Sequence, residues 1–161
     1  MSGAGFDPSG KSDREKAPGA VLFMCAMNVI RSPMAETIAR SLVPSIYFAS
    51  AGVRPGERDP FVDVVMAERD LTLGNHKPKT LEELEDDYFD LVITLSPEAH
   101  HQALELTRSN AVDVIYWPVA DPTVVTGTRE QMLDAYREVA NHLTQRIRER
   151  FLPPLSPRSG E

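Results

Sequence analysis

The chain has 161 residues and a formal net charge of −7 at pH 7. This length suits one domain with a substantial core, and the acidic balance argues against nucleic acid as the main partner. Cys25 is the only cysteine. It excludes an internal disulfide and any zinc site built on a pair of cysteines, and it suits a reducing compartment.

The first nineteen residues are polar, with one aromatic, Phe6, and we expect them to form a disordered tail. Residues 5–12 match the nucleotide-binding pattern Gly-x4-Gly-Lys-Ser. That pattern works only between a buried strand and a helix, and neither context is present, so we interpret the match as chance. Residues 20–152 are predicted to form the folded domain and 153–161 a second flexible tail. No stretch suggests a signal peptide or a membrane span, so the expected location is cytoplasmic, without a membrane partner.

Apolar runs and helical periodicity alternate along the domain. A first helix starts near Pro33, because Met34, Ile38 and Leu42 recur at helical spacing. A turn over 50–53 is expected after the second strand, and a short acidic helix near 81–84. The predicted strands are 21–24, 46–49, 89–95 and 112–116, and the other predicted helices are 61–68, one from Pro97, and 130–151.

Strands that alternate with helices predict an α/β fold with a parallel sheet covered on both faces. Ligands of such sheets bind beyond the carboxyl ends of the strands. The loops that carry Cys25, Ser50, Leu95 and Asp121 should therefore gather at one edge of the sheet.

The loop after the first strand carries the most chemistry. It begins at Cys25 and ends on Arg31, Ser32 and Pro33. Ser32 is a good N-cap, and Pro33 suits the first helical turn. A helix N-terminus favours a tetrahedral anion, and an arginine can hold two oxygens of a phosphate. A thiol in that setting ionises readily and becomes a nucleophile.

The segment Cys25-Ala26-Met27-Asn28-Val29-Ile30-Arg31-Ser32-Pro33 resembles the motif Cys-x-Gly-Asn-x-Cys-Arg-Ser-Pro. That motif belongs to the low-molecular-weight protein tyrosine phosphatases and the arsenate reductases that share their fold. The resemblance covers about residues 20–151. It implies a three-layer α/β/α sandwich with a central four-stranded parallel sheet.

The resemblance also implies roles for individual residues. Cys25 would be the nucleophile, and Ser32 would hydrogen-bond the thiolate. Asn28 would take a left-handed conformation, braced by Ser50 and His76. The loop residues that would bind phosphate are Ala26, Met27, Asn28, Val29, Ile30 and Arg31.

An acid is needed to protonate the leaving oxygen of a phosphate ester, and a base to activate water afterwards. Asp121-Pro122 follows the fourth strand. An Asp-Pro pair is ordinarily a turn, but in the resembling family an Asp-Pro at this place carries the general acid. The resemblance therefore assigns that role to Asp121. By contrast, Asp90 and Asp113 are predicted to be strand-edge residues.

The chain departs from the family pattern at three places. Met27 replaces a glycine, which would be costly if that position needs a positive φ. Ile30 replaces a second cysteine that is thought to protect the nucleophile. Thr123 and Val124 stand where the phosphotyrosine enzymes carry aromatic residues, and residues 117–122 are closer to the arsenate-reductase branch.

Three hypotheses follow. The first is a phosphomonoesterase that works through a phosphocysteine on Cys25. The second is an arsenate reductase that uses a small-molecule thiol, because the chain lacks further cysteines. The third, suggested by Met27, is an inactive phosphate-binding module. We expect a phosphorylated protein or a small phosphomonoester as partner, a monomer or weak homodimer, and neither a cofactor nor a metal. His100 and His101 are expected to be surface residues.

Overall fold

The computed structural model describes residues 18–85, 88–108 and 111–152. The predicted tails lie mostly or wholly outside these ranges. A 3₁₀ turn occupies Pro122–Val124. The strands and helices in chain order are β1 Ala20–Cys25, α1 Arg31–Leu42, β2 Tyr47–Gly52, α2 Pro60–Glu68, β3 Leu91–Thr94, α3 Pro97–Leu106, β4 Asp113–Tyr116 and α4 Arg129–Phe151.

The four strands form one parallel sheet in the order β2-β1-β3-β4. The chain leaves β1 toward one edge, makes β2, and then crosses β1 to build β3 and β4. The strand order thus reverses between β1 and β3. Ligands of open parallel sheets bind at such a switch point, beyond the carboxyl ends of the strands, and Cys25 is the last residue of β1.

Alternate residues of β1 enter two separate cores. Val21 and Phe23 pack in the larger cluster, with buried residues of α1, α2 and α4. Leu22 and Met24 point the other way and pack with Ala99 of α3 and its neighbours. This alternation is the period of two that a strand buried on both faces requires. The predicted three-layer α/β/α sandwich is confirmed.

The helix boundaries depend on local capping. Asp59 caps α2, Ser96 caps α3, and Thr128 forms a capping box with Gln131 at the start of α4. Pro97 is the first residue of α3, as the sequence predicts. Asp59 also accepts a hydrogen bond of 2.6 Å from the hydroxyl of Tyr136, which ties α4 to the start of α2.

Two local predictions are wrong. The second strand does not turn at Ser50, because it continues to Gly52, which pairs with Cys25 in the β1 register. No helix forms near 81–84. Instead, Glu83 accepts a hydrogen bond from the backbone N–H of Thr80, and Leu81 donates to the carbonyl of Gly52. These hydrogen bonds hold the segment in a turn beside the end of β2.

The two neighbouring histidines differ from each other. His101 is exposed as expected, but His100 is half-buried, and its ring stacks on Tyr116 at 4.6 Å between centroids. The ring nitrogen Nδ1 lies 2.9 Å from the hydroxyl of Thr94. Its surroundings are thus those of a packed aromatic residue. Across the described ranges, none of the helices is long and apolar enough to cross a membrane.

Candidate active site

The loop between β1 and α1 encloses a cavity of about 50 Å³ at the carboxyl end of β1. Cys25 lies at its base and is only 2% exposed. The other lining residues come from the loop 26–31 and from the segment after β4: Ala26, Met27, Val29, Ile30, Arg31, Asp121 and Thr123. The structure therefore brings together the residues that the sequence proposed as nucleophile, phosphate-binding arginine and acid.

The start of α1 differs from the prediction. The helix begins at Arg31, its N-cap is Ile30, and no side chain caps it. Ser32 is the second residue of the helix, so its predicted role as N-cap is wrong, while Pro33 does lie in the first turn. The Ser32 hydroxyl is held elsewhere, 2.9 Å from the Cys25 sulfur. The uncapped first turn directs its N–H groups and partial positive charge toward the cavity.

The side chain of Asn28 is buried beneath the loop and forms hydrogen bonds that hold it in place. The residue has a left-handed backbone with φ 60° and is fully buried, so its side chain does not line the cavity. Its Nδ2 donates to the hydroxyl of Ser32 at 2.9 Å and to that of Ser50 at 2.8 Å. Its Oδ1 accepts from the backbone N–H of Lys79 at 3.0 Å. The asparagine thus joins the loop to β2 and to the segment after α2.

The hydrogen bond from Asn28 also leaves the hydroxyl hydrogen of Ser32 uncommitted. A serine hydroxyl has one hydrogen to donate, and Ser32 Oγ already accepts one from Asn28. The hydroxyl hydrogen is therefore available to the Cys25 sulfur. A donor in this position stabilises a thiolate more than a thiol.

Two carbonyl groups of the loop point away from the cavity. That of Ala26 accepts hydrogen bonds from the backbone N–H groups of both Val53 and Arg54. That of Asn28 lies 3.1 Å from Nε2 of His76, which must be the donor because a carbonyl only accepts. In a trans peptide the N–H points opposite to the carbonyl. The N–H groups of the two following residues are thus turned inward, as an oxyanion cradle requires.

Glu36 is a member of this network that the sequence analysis missed. Its Oε1 accepts a 2.5 Å hydrogen bond from Ser50, and its Oε2 pairs with Arg40 at 2.7 Å. The available signal was its position four residues after Ser32, which puts the two side chains on the same face of α1. The chain of hydrogen bonds thus runs from the Cys25 sulfur through Ser32, Asn28 and Ser50 to the largely buried carboxylate of Glu36.

Met27 is accommodated without strain. Its φ is not positive, its side chain is 37% exposed, and it forms an apolar wall of the cavity. Gly56 makes the room, because a Cβ there would lie 2.9 Å from the Cβ of Met27 and 2.6 Å from Cγ2 of Val29. Gly52 is required as well, since a Cβ on it would lie 2.6 Å from the Met27 carbonyl carbon. The substitution that suggested a distorted loop is compensated by a neighbouring glycine.

The guanidinium of Arg31 is half-buried, and its Nη1 donates to the carbonyl of Val119 at 3.0 Å. Val119 in turn donates its N–H to the carbonyl of Leu95 at the end of β3. The arginine is thereby oriented by the segment that leads to Asp121. Sequence reasoning could not foresee a contact that a backbone carbonyl makes across 88 positions.

Asp121 is half-buried at the mouth of the cavity. Its Oδ1 accepts two hydrogen bonds from Thr123, at 2.9 Å from the backbone N–H and 2.6 Å from the hydroxyl. Burial acts to raise the pKa of the Asp121 carboxyl. The bonds from Thr123 and the positive charge of Arg31 outweigh burial and hold the pKa below its ordinary value.

His76 lies behind the loop and is half-buried. Burial is the main cause of a lowered pKa of its imidazole, and the positive charges of Lys79 and Arg58 act in the same direction. The hydrogen bond to the Asn28 carbonyl and the charge of Glu36 oppose the shift without reversing it. The ring is thus a neutral donor near pH 7. Within the described ranges, no group of three or more His, Cys, Asp and Glu side chains could hold a metal ion.

Residues 20–152 match the family model described as low molecular weight phosphotyrosine protein phosphatase. The chain belongs to this family. Among curated relatives, the low molecular weight protein-tyrosine-phosphatase Wzb of Salmonella typhi is 35% identical over 79 residues, which are 47% of this chain and 52% of that protein. The match therefore spans only about half the length of the relative.

Solved structures of both branches of the family are similar to this chain. Arsenate reductase from Archaeoglobus fulgidus is 32% identical, with a TM-score of 0.63, over 80% of this chain and 96% of that one. The Erwinia amylovora tyrosine phosphatase AmsI has a TM-score of 0.67 over 83% of this chain and 91% of that one. Its 21% identity supports the fold alone. The family and the α/β fold that the sequence motif predicted are confirmed, while the reaction catalysed is a matter for proposal.

Proposed function

We propose that this protein is a phosphomonoesterase that works through a phosphocysteine intermediate on Cys25. The observation that carries the proposal is the arrangement around the sulfur: Ser32 Oγ at 2.9 Å, with Arg31 and Asp121 lining the same cavity. Nucleophile, oxyanion ligands and acid are thus within reach of one phosphate group. The substrate we propose is a phosphorylated protein or a small phosphomonoester.

In the first step, the Cys25 thiolate attacks phosphorus and forms the S–P bond. The ester P–O bond breaks, and the leaving oxygen takes a proton from Asp121. Arg31 and the inward N–H groups of the loop hold the three other oxygens, over which negative charge is spread in the transition state. In the second step, water attacks phosphorus, the S–P bond breaks, and the proton of water returns to Asp121.

The pKa of Asp121 in the free protein lies below its ordinary value, whereas a general acid must carry a proton. Binding of the substrate should raise the pKa of Asp121. A phosphate dianion and a thiolate placed beside a carboxyl favour its neutral form, because like charges oppose ionisation. We therefore expect Asp121 to take up its proton when the dianion binds, and activity to be highest on the acidic side of neutrality.

Arsenate reduction is the second candidate, and the 32% identity to the Archaeoglobus fulgidus enzyme favours it. Arsenate would form an S–As bond with Cys25, while one As–O bond breaks and its oxygen leaves as water. A second thiol would then attack the Cys25 sulfur and form a disulfide, so that the electron pair of the S–As bond reduces As(V) to As(III). Since Cys25 is the only cysteine in the sequence, that thiol must come from another molecule.

The test is hydrolysis of p-nitrophenyl phosphate across pH by the intact chain and three variants. Cys25→Ser should abolish turnover, and Asp121→Asn should lower kcat by about 10²–10⁴, the usual contribution of a general acid. Asp113→Asn is the matched control, because Asp113 is exposed at the far end of β4 and should leave kcat unchanged.

Arsenate with glutathione is assayed in parallel. Arsenite release without ester hydrolysis would replace the first proposal with the second. If neither reaction occurs and phosphate still raises the melting temperature, the third hypothesis, a module that binds phosphate without turnover, would be correct.

A further inference from the structure

Thr123 makes a contact with Asp121 that the reaction above does not use. Both of its donors, the backbone N–H and the hydroxyl, lie on the same carboxylate oxygen, Oδ1. Among the described residues, nothing donates to Oδ2. The two oxygens of the acid are therefore chemically unequal before substrate arrives.

This difference between Oδ1 and Oδ2 determines which of the two oxygens binds the proton. An oxygen that already accepts two hydrogen bonds has no lone pair well placed for a proton. A neutral Asp121 therefore carries its hydrogen on Oδ2. The 3₁₀ turn at Pro122–Val124 starts from this contact, so the carboxyl is also fixed in rotation relative to the cavity that it lines.

We propose that Thr123 is a positioning residue for the acid-base step, holding Asp121 by Oδ1 so that Oδ2 is the oxygen that gives and regains the proton. The inference rests on the phosphatase function proposed above. In the first half-reaction the Oδ2–H bond breaks and the proton moves to the leaving oxygen. In the second, a proton of the attacking water forms that bond again.

The hydroxyl and the backbone N–H have separable effects. Thr123→Val removes the hydroxyl donor, keeps the shape of the side chain and leaves the backbone bond in place. Because a donor to the carboxylate stabilises its ionised form, its removal raises the pKa of Asp121. The acid then stays protonated to higher pH, and the basic limb of the kcat/KM profile, which reports the free enzyme, moves upward.

The experiment is the pH dependence of kcat/KM for p-nitrophenyl phosphate. We compare kcat/KM of Thr123→Val with kcat/KM of wild type at each pH. This ratio should be larger on the alkaline side of the profile than on the acidic side, by on the order of threefold to tenfold. Thr123→Ser, which keeps the hydroxyl, should restore the wild-type position of the limb. Thr126→Val, at an exposed threonine of the same segment, is the control and should not move it.

A double-mutant cycle ties the effect to Asp121. In an Asp121→Asn background, Thr123→Val should leave the remaining pH profile unchanged, since no titrating carboxyl is left. The inference is overturned if Thr123→Val shows the wild-type profile, or if the shift persists in that background.

Carbon-13 NMR titration of the Asp121 carboxyl separates this inference from the proposed function. The pKa should be higher in Thr123→Val than in wild type, whether or not the protein hydrolyses an ester. An inactive wild type with the expected titration would sink the phosphatase proposal and leave the hydrogen bond established. An active wild type with equal carboxyl titrations would refute the role of Thr123.

Discussion

The side-chain nitrogen of Asn28 lies 2.8 Å from the hydroxyl of Ser50, and this bond joins the loop between β1 and α1 to β2. The same nitrogen reaches Ser32, and the amide oxygen accepts from Lys79. One buried side chain thus satisfies three partners while its own backbone is left-handed. These hydrogen bonds hold the loop in its left-handed conformation at Asn28 and attach it to its neighbours.

Asn28→Ala should therefore destabilise the protein strongly. It removes two buried hydrogen bonds and one half-buried hydrogen bond and puts an alanine at φ 60°, with an expected loss of about 3 kcal/mol or more of unfolding free energy. Urea denaturation measures the change. Asn75→Ala, at an exposed loop position, is the control and should change stability little. Equal effects of the two substitutions would refute the structural role of Asn28.

Ser32→Ala should reduce the turnover of the enzyme. The variant loses the hydroxyl beside the Cys25 sulfur, and a hydrogen bond to a charged group corresponds to a kcat loss of about tenfold or more. Steady-state kinetics with p-nitrophenyl phosphate measures the loss. Ser41→Ala, at an exposed site of the same helix, is the control. A kcat within twofold of wild type, roughly the error of such estimates, would show that Ser32 does not act on the thiolate.

Gly56 and Met27 should be energetically coupled. Gly56→Ala places a methyl 2.9 Å from the Cβ of Met27 and 2.6 Å from Cγ2 of Val29, and overpacking of this kind costs about 1–3 kcal/mol. Adding Met27→Gly removes the first of the two contacts and should recover part of the loss. Thermal unfolding of both single variants and the double variant gives the coupling free energy. Strictly additive effects would mean that Gly56 does not make room for Met27.

The free energy of unfolding should decrease as the pH falls from 6.5, the ordinary pKa of histidine, to the lower pKa of His76 in the folded state. In this window the unfolded chain binds a proton that the buried imidazole does not, so unfolding becomes easier as the pH falls. Lys79 and Arg58 add to this effect, while the hydrogen bond to Asn28 and the charge of Glu36 moderate it.

Urea denaturation across that pH window tests the expectation. His76→Gln keeps a side-chain donor for the Asn28 carbonyl but does not titrate, so its stability should depend less on pH than that of wild type. His101→Gln, at an exposed position, should keep the wild-type slope. An unchanged slope in His76→Gln would assign the acid sensitivity to other groups.

Much of the fold could be predicted because its signals are local. Apolar runs and helical periodicity located all four strands and the four helices to within a few residues, and Ser96 with Pro97 marked the start of α3 correctly. The errors were also local. Gly52 belongs to β2 because it pairs with β1. Residues 81–84 form a turn because Leu81 and Glu83 donate hydrogen bonds to the carbonyls of Gly52 and Thr80.

The sequence by itself determined the family, the nucleophile candidate and the presence of a helix directly after the loop, since Cys25, Arg31 and Pro33 are close along the chain. It placed the first residue of that helix about two positions too late. Only the tertiary structure decided how these three residues are held. Glu36 joins the network through Ser50, Gly56 relieves Met27, Val119 orients Arg31, and these partners lie far apart in sequence. Hydrogen-bond direction and steric contact depend on distances that arise only when the strands and loops have packed together.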